Sequence, residues 1–126
     1  MIVGIGTDLC KAERLQKGLE SPAFLRRVFS EAEQALLASR TGKARLETAA
    51  ANFAAKEALL KAAGTGLGGF AMSELSVLRL PGGQPCFALA GRALAWQTEN
   101  GLTLHVSLSH EAGLATAFVV AEKTEI

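Results

Sequence analysis

Between Arg45 and Ala63 alanine recurs without a single proline or glycine, and Gly64 follows at once. Alanine gives up no side-chain freedom in a helix, so this composition strongly favours one. Glycine is the usual residue just past a helix end. The spacing therefore predicts one long helix from about Arg45 to Ala63. Leu46, Ala50, Phe53 and Glu57 recur at helical spacing and share one stripe, so Glu57 is a carboxylate on a mostly apolar face. Such a stripe must be buried against another layer. The chain has 126 residues, 49% of them hydrophobic, which suits a single domain over residues 1–126 with a real core. One Trp, no Tyr and six Phe leave that interior to Leu, Val, Ile, Ala and Phe.

The remaining pattern supplies the second layer. Ile2 to Thr7 reads as a strand with Ile2, Gly4, Gly6 and Asp8 on one face and Val3, Ile5 and Thr7 on the other. Its two glycines make a smooth patch that something can approach closely. A short charged helix is expected from Lys11 to Leu19. Ser21-Pro22 is a helix start, and Ser30-Glu31-Ala32-Glu33 matches a capping box, with Thr41-Gly42 as the break after it. Gly64 to Gly69 reads as a loop. Leu75 to Leu80 and Cys86 to Leu89 form a hairpin about the Pro81–Pro85 turn, and Ala90 to Glu99 a short helix carrying Trp96. Leu104, Val106 and Leu108 alternate with His105, Ser107 and Ser109 as a half-buried strand, and Leu114 to Ala121 is the last. The class is α+β: an antiparallel sheet packed against a long central helix.

A formal net charge of +1 argues against broad affinity for nucleic acid or anionic lipid. Cys10 and Cys86 lack metal-ligand spacing, and reduced thiols are expected. No basic leader and no run long enough to cross a bilayer is present, so a soluble, cytoplasmic protein is expected.

Several residues admit two readings. Asp8 is either an ordinary helix cap or a Mg2+ ligand at a strand end. Glu57 and Lys61 have the order of an i,i+4 surface pair, but the apolar stripe under Glu57 favours a cation as its partner. Lys56 is either solvated or reaches a phosphate. Gly64-Thr65-Gly66 lacks a Walker pattern, and a plain C-cap accounts for Gly64. Ser109 and His110 are adjacent on a strand and point to opposite faces, which disfavours a direct nucleophile–base pair. With only His105 and His110, a histidine-rich zinc site is excluded.

Taken in order, Gly4-Ile-Gly-Thr-Asp-Leu9, Asn52-Phe-Ala-Ala-Lys-Glu-Ala58 with Lys61, Gly64-Thr-Gly66 and Val106-Ser-Leu-Ser-His110 resemble the holo-acyl-carrier-protein synthases, the small phosphopantetheinyl transferases. The resemblance spans nearly the whole chain. It implies Asp8 and Glu57 as the ligands of Mg2+, and Lys61 on the diphosphate of coenzyme A. It also implies Gly64, Thr65 and Gly66 along the nucleotide, and His110 beside the phosphates or ribose. The implied assembly is a homotrimer with sites between subunits, consistent with a chain about half the length of the two-lobed relatives. The implied partner is an acidic acyl carrier protein, which turns the basic run Lys11, Arg14, Lys17, Arg26 and Arg27 from a solvated face into a docking patch. Asn52 departs from the family, where Arg is common, and Arg45 or Lys43 are the candidates to restore the charge.

The implied reaction is attack of a carrier serine on the β-phosphorus of coenzyme A, with Glu57 as first and His110 as second candidate for the base. Two other classes fit the same residues: a metal-dependent hydrolase of nucleotide diphosphates, and a noncatalytic coenzyme A-binding oligomer.

Overall fold

The alanine-rich stretch is one helix, α3 (Gly42–Ala63), in a computed structural model that describes residues 1–64 and 69–124. It begins three residues earlier than the alanine pattern suggests, with Thr41 extended at its N-cap, and ends at Gly64 with φ of 75°. That left-handed conformation is the helix stop that glycine adopts without a Cβ penalty.

Around it run β1 (Ile2–Lys11), α1 (Pro22–Val28), α2 (Glu31–Ala38), β2 (Leu75–Arg79), β3 (Pro85–Leu89), α4 (Gly91–Glu99), β4 (Leu102–Glu111) and β5 (Leu114–Lys123). The strands form two antiparallel sheets instead of one: β1-β5-β4 and the hairpin β2-β3. The three-stranded sheet packs on α3 through its inward residues, among them Gly6, Ala115, Ala117, Val119 and Ala121. They meet the buried alanines of α3, so small side chains on both surfaces bring helix and sheet close together.

That closeness explains the two glycines of β1. A Cβ on Gly4 would lie 2.0 Å from the carbonyl oxygen of Ala62, and one on Gly6 would lie 1.9 Å from that of Ala58. What approaches the smooth patch is the backbone of α3. The same strand face carries Asp8 two residues further on.

The caps form as expected. The Ser21 hydroxyl accepts from Phe24 N, and Ser30 with Glu33 closes a full capping box at the start of α2. The expected helix from Lys11 to Leu19 is instead two 3-10 turns, Ala12–Leu15 and Gly18–Glu20, which bury Ala12, Leu15 and Leu19. Tertiary burial of three apolar side chains outweighs helical hydrogen bonding in so short a segment.

Candidate active site

Asp8 leaves β1 on the face that meets α3, and Lys61 reaches it from the last turn of that helix. The Lys61 ammonium donates to the Thr7 carbonyl at 2.9 Å and to Asp8 Oδ1 at 3.2 Å. The i,i+4 pair with Glu57 does not form; Lys61 crosses to the strand instead. Glu57 sits one turn before it, partly buried, and burial pushes its carboxyl above the usual range, with the Asp8 charge adding to the rise. The charges of Lys61 and Arg14 oppose the rise at Glu57. Cys10, buried beneath, has its thiol pushed up by burial.

Lys56 does something different from either expectation. It is fully buried, and its ammonium donates to Glu33 Oε1 at 2.5 Å and to the Met72 carbonyl at 2.8 Å. Burial pushes its pKa down, against the pull of Glu33. Lys56 faces away from solvent because adjacent helical residues point about 100° apart. While Glu57 turns to β1, Lys56 turns to α2.

Asn52 belongs to that interior too. Its amide nitrogen donates to Glu33 Oε2 and to the Val77 carbonyl, both at 3.0 Å, and its oxygen accepts from Arg79 Nη2 at 2.9 Å. The positive charge brought to Asn52 is the guanidinium of Arg79, from β2, and neither Arg45 nor Lys43 supplies it. Arg79 in turn opens on a cleft of about 400 Å³ with Arg40, Glu47, Thr48, Pro85 and His110 in its walls.

His110 continues the inward face of β4 and places Nδ1 2.8 Å from Glu47 Oε2. Glu47 lies ten positions before Glu57 on α3, about 15 Å of helix rise. Arg45 lies further still, in a separate cleft with Gln16, Leu19 and Glu20. Within one protomer the residues therefore divide: Asp8, Glu57 and Lys61 come together, while His110 and Arg45 stand apart from them. Gly64 caps α3 at the near end, and Thr65 and Gly66 lie outside the described residues. Lys11, Arg14, Lys17, Arg26 and Arg27 are all exposed, the last with its guanidinium 5.9 Å over the Phe24 ring.

The sequence reading missed Arg40, Arg79 and Glu47. None stands in a recognisable motif; the signal was only that half-buried arginine at a strand end needs a partner.

The chain matches the 4'-phosphopantetheinyl transferase superfamily (ACPS) over residues 4–119. It belongs to that family. It is 44% identical to the holo-[acyl-carrier-protein] synthase of Methylobacterium radiotolerans over 97% of this chain and 94% of that one. It is 43% identical to that of Clavibacter michiganensis over 97% of each. Among solved structures, the holo-(acyl-carrier-protein) synthase of Bacillus anthracis in complex with CoA (3',5'-ADP) superposes with a TM-score of 0.84 at 32% identity, over 98% of this chain and 99% of that one. The synthase of Neisseria meningitidis gives 0.87 at 32% identity, over 98% and 100%. The transferase fold expected from the motifs is thus the fold of this family member.

Proposed function

We propose that this member of the transferase superfamily moves the 4'-phosphopantetheine group of coenzyme A onto a serine of an apo acyl carrier protein. Adenosine 3',5'-bisphosphate leaves, and the holo carrier serves fatty acid biosynthesis. The observation that carries the reading is the convergence of Asp8, Glu57 and Lys61 from a strand and a helix end.

The donor set fits Mg2+. Among the described residues no group of three or more His, Cys, Asp or Glu side chains is placed to cage a metal. Mg2+ is commonly held by one or two carboxylates, with waters and substrate phosphates completing its shell. Asp8 and Glu57 are the ligands in this reading, and the ion supplies positive charge to the diphosphate oxygens. Lys61 adds a point charge to the same phosphates, with Gly64, Thr65 and Gly66 along the nucleotide.

In the transfer, the serine oxygen forms a bond to the β-phosphorus and the bond from that phosphorus to the bridging oxygen breaks. The electron pair leaves with the nucleotide phosphate, and the serine proton passes to a base. Glu57 is the first candidate. His110 is the second.

The active form in this reading is a homotrimer. Val3, Ile5, Leu9 and Phe118 are exposed on the outer face of the sheet, an apolar strip that a second copy can cover. The separation of His110 and Arg45 from Lys61 within one chain supports sites completed between copies. Carrier docking is assigned to Lys11, Arg14, Lys17, Arg26 and Arg27, and the Arg14 charge acts on Glu57. A cytoplasmic location is supported by the free thiols of Cys10 and Cys86, and no helix among the described residues is long and apolar enough to cross a membrane.

The test is to incubate the protein with coenzyme A, Mg2+ and an apo carrier, and to weigh the carrier. A gain of one phosphopantetheine group is expected. Cleavage of coenzyme A with an unmodified carrier would make the chain a hydrolase instead. Binding without either reaction would make it a noncatalytic binder.

A further inference from the structure

Lys61 holds ground that a bound cation would contest. Its ammonium donates to Asp8 Oδ1 at 3.2 Å and to the Thr7 carbonyl at 2.9 Å, two oxygens of one edge strand. Glu57 stands one turn earlier on α3, in the order that favours an i,i+4 pair. It nevertheless has neither an ion pair nor a hydrogen bond among the described residues. The ammonium therefore answers the strand and leaves the helix carboxylate open.

The two sides of that contact differ in how readily they move. Asp8 is fixed: it pairs with Ala117 across the sheet, and the Thr116 hydroxyl donates to its carbonyl at 3.0 Å. Lys61 is a flexible four-carbon stem on the last turn of α3, with 56% of its side chain exposed. An ion pair in water gains little beyond the entropy spent in holding it, so the ammonium can leave Asp8 at small cost. Lys56 has no such freedom, because its departure would strand the Glu33 charge in the core. Without a ligand, two carboxylates and one ammonium leave the cluster negative. A divalent cation reverses that sign, so the ammonium is then repelled from the carboxylates and drawn to an anion.

We propose that Lys61 is a displaceable counter-ion of Asp8: it competes with the divalent cation for the carboxylate, and the cation frees it for the diphosphate of the donor. The inference rests on the assignment of Asp8 and Glu57 to the metal and of Lys61 to the diphosphate, and it adds a coupling between them. Metal and diphosphate strengthen one another's binding through a single ammonium that changes partner.

The test needs no carrier protein. Calorimetry measures Mg2+ binding to the donor-free wild type and to Lys61→Met, then coenzyme A binding to each with Mg2+ present and with metal chelated. Lys61→Met is expected to bind Mg2+ about twofold to fivefold more tightly than wild type, since no ion pair has to be broken. With Mg2+ present it should lose about tenfold to a hundredfold in affinity for coenzyme A. With metal chelated the loss should be less than about threefold, because the wild-type ammonium is then held by Asp8. A lysine acting only through its field would cost the same factor in both conditions, so equal losses would overturn the proposal. Unchanged or weaker Mg2+ binding by Lys61→Met would overturn it as well. Lys61→Gln, neutral but still polar, carries the same predictions should the Met variant fold poorly. Crystals grown with Mg2+ and no donor should show the Lys61 ammonium beyond hydrogen-bond reach of Asp8, and an intact pair beside a bound ion would sink the idea. Absence of Mg2+ binding in both proteins would refute the carboxylate site and the counter-ion with it, whereas the mass of the carrier tests the transfer separately.

Discussion

Two lysine–carboxylate pairs flank the same helix, and they behave as different kinds of object. Lys56 with Glu33 is wholly buried, at 2.5 Å, inside a network that includes Asn52, the Met72 carbonyl and the capping box of α2. Lys61 with Asp8 is open to water, with 56% of the lysine side chain and 20% of the aspartate side chain exposed, at 3.2 Å. The buried pair has every polar group answered within the protein, so it acts as a brace between α2, α3 and the segment before β2. The exposed pair has Glu57 beside it with a raised carboxyl pKa, so its negative charge is incompletely answered. Complete satisfaction marks architecture here, and incomplete satisfaction marks the candidate site.

The sharpest way to break that contrast is to remove each lysine. Lys56→Met leaves a buried carboxylate without its cation and is expected to cost about 3–5 kcal/mol of stability. Lys61→Met should cost less than about 1 kcal/mol, as exposed pairs do. Urea denaturation of both variants checks the ratio, and equal costs would mean that burial is not what separates the pairs.

Next in size are Asp8→Ala and Glu57→Ala, which should lower Mg2+-dependent transfer by on the order of a hundredfold to a thousandfold. Denaturation midpoints should stay close to wild type. Near-normal turnover at limiting Mg2+ would remove the residue from the metal site.

Gly6→Ala probes how the two sides are held together. Its Cβ would collide with the Ala58 carbonyl at 1.9 Å, backbone against backbone, so β1 must move off α3. We expect about 1–3 kcal/mol of destabilisation together with a raised Mg2+ requirement, because Asp8 and Glu57 separate. A stability loss with unchanged Mg2+ dependence would uncouple the strand–helix contact from the site.

The smallest effect concerns pH. The Glu57 carboxyl, raised above 4.5 in the folded state, binds its proton more tightly folded than unfolded. Its contribution to stability is therefore lost as pH rises through the folded value, and the folded protein stays penalised above it. With metal chelated, Glu57→Gln should be more stable than wild type at neutral pH by less than about 1 kcal/mol, since solvent screens the site. The difference should vanish below the ordinary carboxylate range, and denaturation curves at the two pH values measure it.

Much of this was legible beforehand. The alanine run specified α3, Ser30 and Glu33 specified the start of α2, and the alternation at Leu104, Val106 and Leu108 specified β4, because these depend on neighbours within a few residues. The paired glycines of β1 announced a close approach, and the structure supplies the helix backbone that makes it. The 3-10 turns after β1 were not legible, since helix and turn differ there only in what the apolar side chains pack against.

The residue types able to carry phosphate chemistry, and their order along the chain, were thus a property of the sequence alone. Which way each one faced was decided by the tertiary structure. Lys56 and Glu57 are adjacent charged side chains that local sequence does not tell apart as core or surface, and only the surfaces packed on either side of α3 send one to the core and the other to the candidate site. Arg79 meets Asn52 across 27 positions of chain, a pairing that folding creates and local spacing cannot encode.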